Sequence, residues 1–342
     1  MSGASKLQGL AHRHLSAYIN NSALSRSDLL LSVLLPAVAR RKFASNVLRI
    51  HSEFMRAVPG NNYSSQCISI EFYNGKNPAV RKMMEYLSNN LSGDLAGAYI
   101  HGSLGTGEEE EYSDFDALVI LKNEVFESRR RLMKVAGKLR ESLHIMYDFD
   151  PLQHHGWFVL TEADLQHYND SYFPVILFKY SRSLLEDTGR ELHLAPVDSN
   201  ADADKFFRNV AASILSKLDR TNYPNNIYQL KSMLSEFMLM PALYMQACKG
   251  EGVFKKDSFQ LAENALVCGF WESMREVSSI RKNWKYDLSP SERWMMTRVH
   301  PLRKYVVNYA APHIPEAIAV KLCDKLYSSM RSLTHAMLDN CR

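Results

Sequence analysis

The chain predicts a mixed-sheet α/β unit with flanking helices, followed by an all-helical C-terminal region. Three observations carry that expectation. Short apolar runs ("CISIEF", "LAGAYIH", "FDALVILK", "GWFVLT") alternate with amphipathic helical stretches between residues 67 and 161. From about Ala201 the strand-like runs stop and long helical patterns such as "KFFRNVAASILSKLDR" continue to the C-terminus. With 46% hydrophobic and 23% charged residues over 342 positions, the chain is rich enough to bury a core or two.

The elements follow in order. Residues 1–60 read as a helical extension, and "PGNN" at 59–62 as turn punctuation. The α/β unit is expected over 61–198 and the helical domain over 199–342, with "APVDSNADAD" as the linker. Within the α/β unit, 67–72 is a strand and 77–93 a helix, with Asn77 as its N-cap and Pro78 at its first position. Strands are expected at 95–101, 115–122, 143–150 and 156–161, with an amphipathic helix over 124–143. Short helices near 162–169 and 173–181 precede an extended pair at "SLLED" and "ELHL".

Composition narrows the class. A formal charge of +4 neither demands nor excludes a nucleic-acid partner. Five scattered cysteines without a CxxC pair fit a reducing compartment and give zinc no spacing. The apolar stretch 29–39 is too short to span a bilayer and contains Pro36, and the N-terminus lacks a secretory pattern. A cytoplasmic protein without membrane attachment is expected.

The chemistry-bearing stretch is "HGSLGTGEEEEYSDFDALVIL", residues 101–121. It is not a P-loop, because no Lys-Ser/Thr pair follows the glycines. Nor is it a dinucleotide fingerprint: the order is GxxGxG, and four glutamates would repel a pyrophosphate. What remains are its ends. Gly102-Ser103 follows a strand, ten residues separate Ser103 from Asp114, and Asp114-Phe115-Asp116 opens the next strand. Alternation would put both aspartates on one face with Phe115 in the core. Two such carboxylates call for a divalent cation, and hard oxygen ligands suit Mg²⁺. Gly102 permits close backbone approach, and Ser103 can hold phosphate oxygens. Alone, Asp-x-Asp is ordinarily a solvated strand entrance; with Gly-Ser upstream and "YDFD" downstream, it reads as catalytic.

This pattern resembles the signature of the polymerase-β-type nucleotidyltransferase superfamily, which Gly102, Ser103, Asp114 and Asp116 match. The resemblance covers roughly 95–195 and implies a nucleotidyltransferase-type mixed sheet. It implies metal-dependent transfer of a nucleoside monophosphate from a nucleoside triphosphate such as ATP to a hydroxyl, with pyrophosphate released. It further implies Mg²⁺ or Mn²⁺ held by Asp114, Asp116 and a third carboxylate on a later neighbouring strand. "YDFD" offers Asp150, favoured for its place at the strand end, with Asp148 as the alternate. A basic residue past the third strand is implied at the triphosphate; Lys179 and Arg182, three apart, would share a helical face. The glutamates Glu108–Glu111 lie outside the shared pattern and read as an exposed spacer, with extra metal ligation the lesser alternative.

Other features are less specific. His154-His155 reads as a polar hairpin, with a phosphate or ligand role as the alternative. Residues 281–305 carry Arg281, Lys282, Lys285, Arg293, Arg298, Arg303 and Lys304 against Asp287 and Glu292, interleaved with Trp284, Tyr286 and Trp294. That mixture could grip RNA by charge and stacking, or be a helical domain with core tryptophans, the preferred reading. The Met-rich 231–245 suggests a helical core or a homo-oligomer face. The acceptor stays open between a small molecule, an RNA end and a protein hydroxyl. A nucleotide- or RNA-binding scaffold without turnover is the alternative from a different class.

Overall fold

The computed structural model describes residues 3–58, 65–219 and 222–341; the expected turn at 59–62 lies outside them. Three helices open the chain: α1 (Gly3–Ile19), α2 (Arg26–Leu34) and α3 (Pro36–Ala57). Leu30, Leu34, Leu35 and Val38 stand exposed at the α2–α3 corner, while Leu15, Ile19, Val47, Ile50 and Phe54 turn inward. No helix among the described residues is long and apolar enough to cross a membrane.

The α/β part begins with β1 (Gln66–Ser69) and α4 (Pro78–Leu91). Asn77 caps α4 through Oδ1, which accepts from the Ala79 and Val80 amides at 3.0 and 3.3 Å. Val80, Met83, Leu87 and Leu91 form the buried stripe of α4. Then come β2 (Leu95–Ile100), the short helix α5 (Gly102–Thr106), β3 (Ala117–Leu121), a 3₁₀ turn at Asn123–Phe126 and α6 (Arg129–Phe149). The segment closes with β4 (Phe158–Thr161), α7 (Glu162–Gln166), β5 (Tyr168–Asn169), α8 (Val175–Lys179), β6 (Arg182–Ser183), β7 (Glu191–Leu194) and β8 (Pro196–Val197).

The main sheet has the order β4-β3-β2-β6. β2 runs antiparallel to both β3 and β6, and β3 runs parallel to β4, so the sheet is mixed as expected. Every residue of β3 is buried, which fits an inner strand covered on both faces and explains its unbroken apolar run. One core fills the side facing α1, α3, α4 and α6, and a second, smaller one lies on the opposite face.

Two expected elements differ. Residues 143–150 are not a strand: α6 runs on to Phe149. The spacing Leu132, Val135, Ala136, Leu139, Leu143, Met146 continues a helical stripe through the segment, and burial of that stripe decides the matter. Pro151 then ends the helix by forcing Asp150 into an extended conformation, with φ −130° and ψ 99°. Nor do "SLLED" and "ELHL" pair with one another; β6 joins the main sheet and β7 pairs with β1.

The C-terminal part is helical throughout its described elements. α9 (Asn200–Lys217) packs on α10 (Ile227–Lys249). The series continues with α11 (Lys255–Ala265), α12 (Glu272–Lys282), α13 (Pro290–Met296), α14 (Arg303–Ala310), α15 (Glu316–Ala319) and α16 (Asp324–Asn340). Met233, Met238, Met240 and Met245 of α10 are all buried in this core, so the methionine run is interior. Cys248 and Cys341 form a disulfide between the ends of α10 and α16 across 93 residues, a pairing the scattered cysteines did not suggest. Tyr112 and Leu152, from the α/β part, belong to the same helical core.

Candidate active site

The end of β2 and the approach to β3 set the site. The His101 amide donates to the Asp116 carbonyl at 2.9 Å, which aligns the glycine turn with the aspartates. Gly102 has φ +63°, and a Cβ there would lie 2.6 Å from Asp116 Oδ2. Glycine is therefore required twice, by conformation and by contact. Ser103 Oγ donates to Ser113 Oγ at 2.9 Å, and that oxygen also accepts the Glu110 amide, tying the two ends of the loop. Glu108–Glu111 are exposed. Glu108 meets Lys256 of α11 and Glu109 accepts from Asn77, so the run is a surface spacer held at its start.

Asp114 and Asp116 precede β3 rather than lying within it. Between them Phe115 is buried, and its backbone is gripped by a side chain. Gln153 Oε1 accepts the Phe115 amide at 2.9 Å, and Gln153 Nε2 donates to the Phe115 carbonyl at 3.1 Å and to the His155 carbonyl at 2.8 Å. The amide thus acts as a strand partner, fixing the Asp-x-Asp backbone just before the ladder with β4 begins.

The third carboxylate was expected on a strand at 143–150, which is helix instead; the strand that does pair with β3 is β4, and His155 lies just before its start. His155 Nε2 lies 3.1 Å from Asp116 Oδ1. One ligand atom each from Asp114, Asp116 and His155 lie within 4.8 Å of one another, close enough to share one ion. Burial opposes charge on His155, but the hydrogen bond and charge of Asp116, with the charge of Asp114, outweigh it and raise its pKa to about 9. An ion there must displace that proton, since imidazole ligates in its neutral form. Two carboxylates and an imidazole suit Mn²⁺ better than Mg²⁺, which favours oxygen ligands.

Asp150 comes from the end of α6 and is buried. Its Oδ1 accepts the Leu152 amide at 3.0 Å. Its Oδ2 is 2.8 Å from Lys231 Nζ, and the same nitrogen is 2.8 Å from Asp114 Oδ1. Asp150 therefore reaches Asp114 both directly, side chain to side chain, and through Lys231, and it is absent from the Asp114–Asp116–His155 cluster. Burial and the charge of Asp114 raise the Asp150 pKa to about 7 against the pull of Lys231. Asp114 is held below the ordinary carboxylate range: burial acts against this, and Lys231 and His155 outweigh it. Asp148, the alternate, is exposed on the last turn of α6.

The basic residues are placed differently from expectation. α8 ends at Lys179, which is exposed, while Arg182 lies in β6 opposite Ile100, so the two do not share a helical face. Arg182 donates to the Ser181 carbonyl and pairs with Glu71 at 3.5 Å. The lysine that feels the charges of the aspartates is instead Lys255 of α11, with Arg281 of α12 close enough to act on it. Burial, and then the charge of Arg281, pull the Lys255 pKa down to about 8, against Asp116 and Asp114. Arg281 lies over the Tyr112 ring at 5.2 Å, and its buried Nε has no hydrogen-bond partner among the described residues.

The basic segment 281–305 divides in the structure. Arg281 lies over the Tyr112 ring, Arg293 donates to the Asp148 carbonyl, and Arg303 is buried. Trp284 is core, whereas Trp294 is exposed beneath Arg298 at 3.8 Å. His154 is half-buried with its ring edge-on to Tyr228, and desolvation pulls its pKa down to about 3. Sequence reasoning missed Gln153, Lys231 and Lys255. Only Lys231 left a signal, a charge within an apolar helical stripe.

Fold and site together define a nucleotidyltransferase-type α/β unit closed by a helical part. Residues 80–159 match the family model described as a nucleotidyltransferase domain, so this segment is a domain of the superfamily whose signature it resembles. The match runs from α4 to β4 and includes Gly102, Ser103, Asp114, Asp116, Asp150 and His155, but not Lys231, Lys255 or Arg281. Neither the curated proteins nor the solved structures include a match to the chain.

Proposed function

We propose that the protein transfers a nucleoside monophosphate from a nucleoside triphosphate to an acceptor hydroxyl, releasing pyrophosphate. The observation that carries this reading is the convergence of Asp114, Asp116 and His155 within 4.8 Å beside the Gly102 turn, inside a nucleotidyltransferase domain. Asp114, Asp116 and a deprotonated His155 would hold the divalent ion. When bound, that ion supplies charge neutralisation at the phosphate oxygens.

The remaining roles belong to the chain itself. Gly102 lets the backbone come close to the polyphosphate, and Ser103 offers it a hydroxyl. Lys255 and Arg281 balance the charge of the triphosphate from the helical side, and Arg182 borders the same strand end. Gln153 keeps both aspartates aimed while charge redistributes, the preorganisation that makes electrostatic catalysis effective. The acceptor is a small molecule, an RNA end or a protein hydroxyl.

The test is pyrophosphate release from each of the four nucleoside triphosphates with Mg²⁺ or Mn²⁺, with and without total cellular RNA. Release that disappears in an Asp114→Ala/Asp116→Ala protein supports the reading, and dependence on RNA identifies the acceptor class. Metal-dependent triphosphate binding without any release would favour the scaffold instead. Lys231, already paired with two of the three acidic side chains, is the observation that keeps that second reading in view.

A further inference from the structure

The nucleotidyl-transfer reading invites two divalent ions about 3.5–4 Å apart, one on each side of the transferred phosphoryl group. The side chains here offer one such place, at Asp114, Asp116 and His155. Where a second ion would sit, between Asp114 and Asp150, there is an ammonium group. Lys231 lies early in α10 and is 1% exposed, with Nζ 2.8 Å from Asp114 Oδ1 and 2.8 Å from Asp150 Oδ2. It is built in rather than resting there. The Tyr112 ring lies 5.0 Å from Nζ. Tyr112 Oη donates to the Lys231 carbonyl at 3.0 Å and is 2.8 Å from Ser235 Oγ one turn on, so the catalytic loop is bonded to the helix turn that carries the lysine.

We propose that Lys231 is a resident replacement for the second cation, so that the protein binds a single divalent ion and Lys231 positions Asp114 and Asp150. The inference rests on the transferase reading above. An ammonium and a divalent ion cannot share the gap between two carboxylates. To admit an ion, the lysine would have to move its charge into the apolar helical core, where an unpaired ion is strongly disfavoured. Asp150 accordingly acts as the counter-ion of Lys231, not as a metal ligand, and Lys231 acts through the carboxylates it holds.

Mn²⁺ is titrated into the full chain and followed by electron paramagnetic resonance, alone and with inorganic triphosphate, the group common to all four nucleotides. The expected result is one Mn²⁺ per chain with an isolated-ion spectrum in both conditions. Lys231→Met should bind a second Mn²⁺ and show the spin coupling of ions about 3.5–4 Å apart. Two coupled ions in the unaltered protein, or a single ion in a folded Lys231→Met, would overturn the inference while leaving the transferase reading standing. If Lys231→Met does not fold, Asp150→Asn decides. Mn²⁺ affinity within about twofold of the unaltered protein supports a counter-ion, and a loss of about tenfold or more marks a ligand and overturns it. No Mn²⁺ binding in the unaltered protein would remove the metal site itself, and the transferase reading with it.

Discussion

Gly102 shows how one residue couples backbone to chemistry. Alanine there must adopt a left-handed conformation, costing roughly 1–2 kcal/mol, and its Cβ would meet Asp116 Oδ2. The obstacle is the far end of a side chain, so the carboxylate should swing aside while the fold survives. Gly102→Ala is expected to lower Tm by a few degrees and weaken Mn²⁺ binding by about tenfold or more; unchanged affinity in a melting-matched sample would refute the contact. Lys255 gives a pH signature. Its pKa is pulled down to about 8, so it is charged below that value and neutral above it. Above pH 8 the kcat/KM for the triphosphate should therefore fall, since that parameter reports the free enzyme. Lys255→Arg, charged throughout, should lack the fall, and a decline that persists in that variant would assign it elsewhere. Gly102, Ser103, Asp114 and Asp116 were legible because their relation is local, a turn and a strand start within fifteen positions. Lys231 and Lys255 arrive from more than a hundred residues away, and no spacing rule connects them to the aspartates.

Among the elements, α6 shows why alternation misleads near a helix end. "LHIMYDFD" satisfies a strand pattern over its length, yet Leu143 and Met146 also extend the stripe begun at Leu132, and burying that stripe prevails. The consequence is functional: Asp150 is delivered by a helix stop before Pro151, not by a strand, which is why it meets Lys231. Helix α3 carries a separate prediction. His51 is buried, stacked on Phe126 at 3.8 Å, and burial lowers its pKa to about 4. Unfolded, the same group titrates near its ordinary value of 6.5. Between those values the unfolded chain binds the extra proton, so stability is full above pH 6.5 and lost as pH falls toward 4, with no further loss below. The contribution is on the order of 3 kcal/mol. Urea melts at pH 7.5, 6.0 and 4.5 should show a shallower acid loss in His51→Phe, which keeps the stacking without the proton. Parallel losses in both proteins would show that other histidines carry the effect.

At the scale of the whole molecule, the change of texture near residue 200 is visible in the sequence, but the closure of the site by the distal part is not. The two parts share a core at Tyr112 and Leu152 and are joined by specific bonds, among which Arg303 makes a concentrated set. Its guanidinium donates to the Met296, Gln153 and Pro151 carbonyls at 2.8–2.9 Å and lies 3.5 Å over the Tyr147 ring. The 150–155 turn that carries Asp150, Gln153 and His155 is thus pinned from α14. Arg303→Met would fill much of the same space and leave three buried carbonyls unpaired, each costing about 1–3 kcal/mol. Lysine cannot replace the fork either, because a point charge does not reach three diverging acceptors. If the pin matters to the site, hydrogen exchange in either variant should quicken across 150–156, and at Phe115, whose backbone Gln153 holds. Mn²⁺ affinity should fall with it, through His155. Exchange that quickened only in α13 and α14, with Mn²⁺ binding intact, would make Arg303 a structural joint of the helical part alone. The turn would then owe its geometry to Pro151 and Gln153.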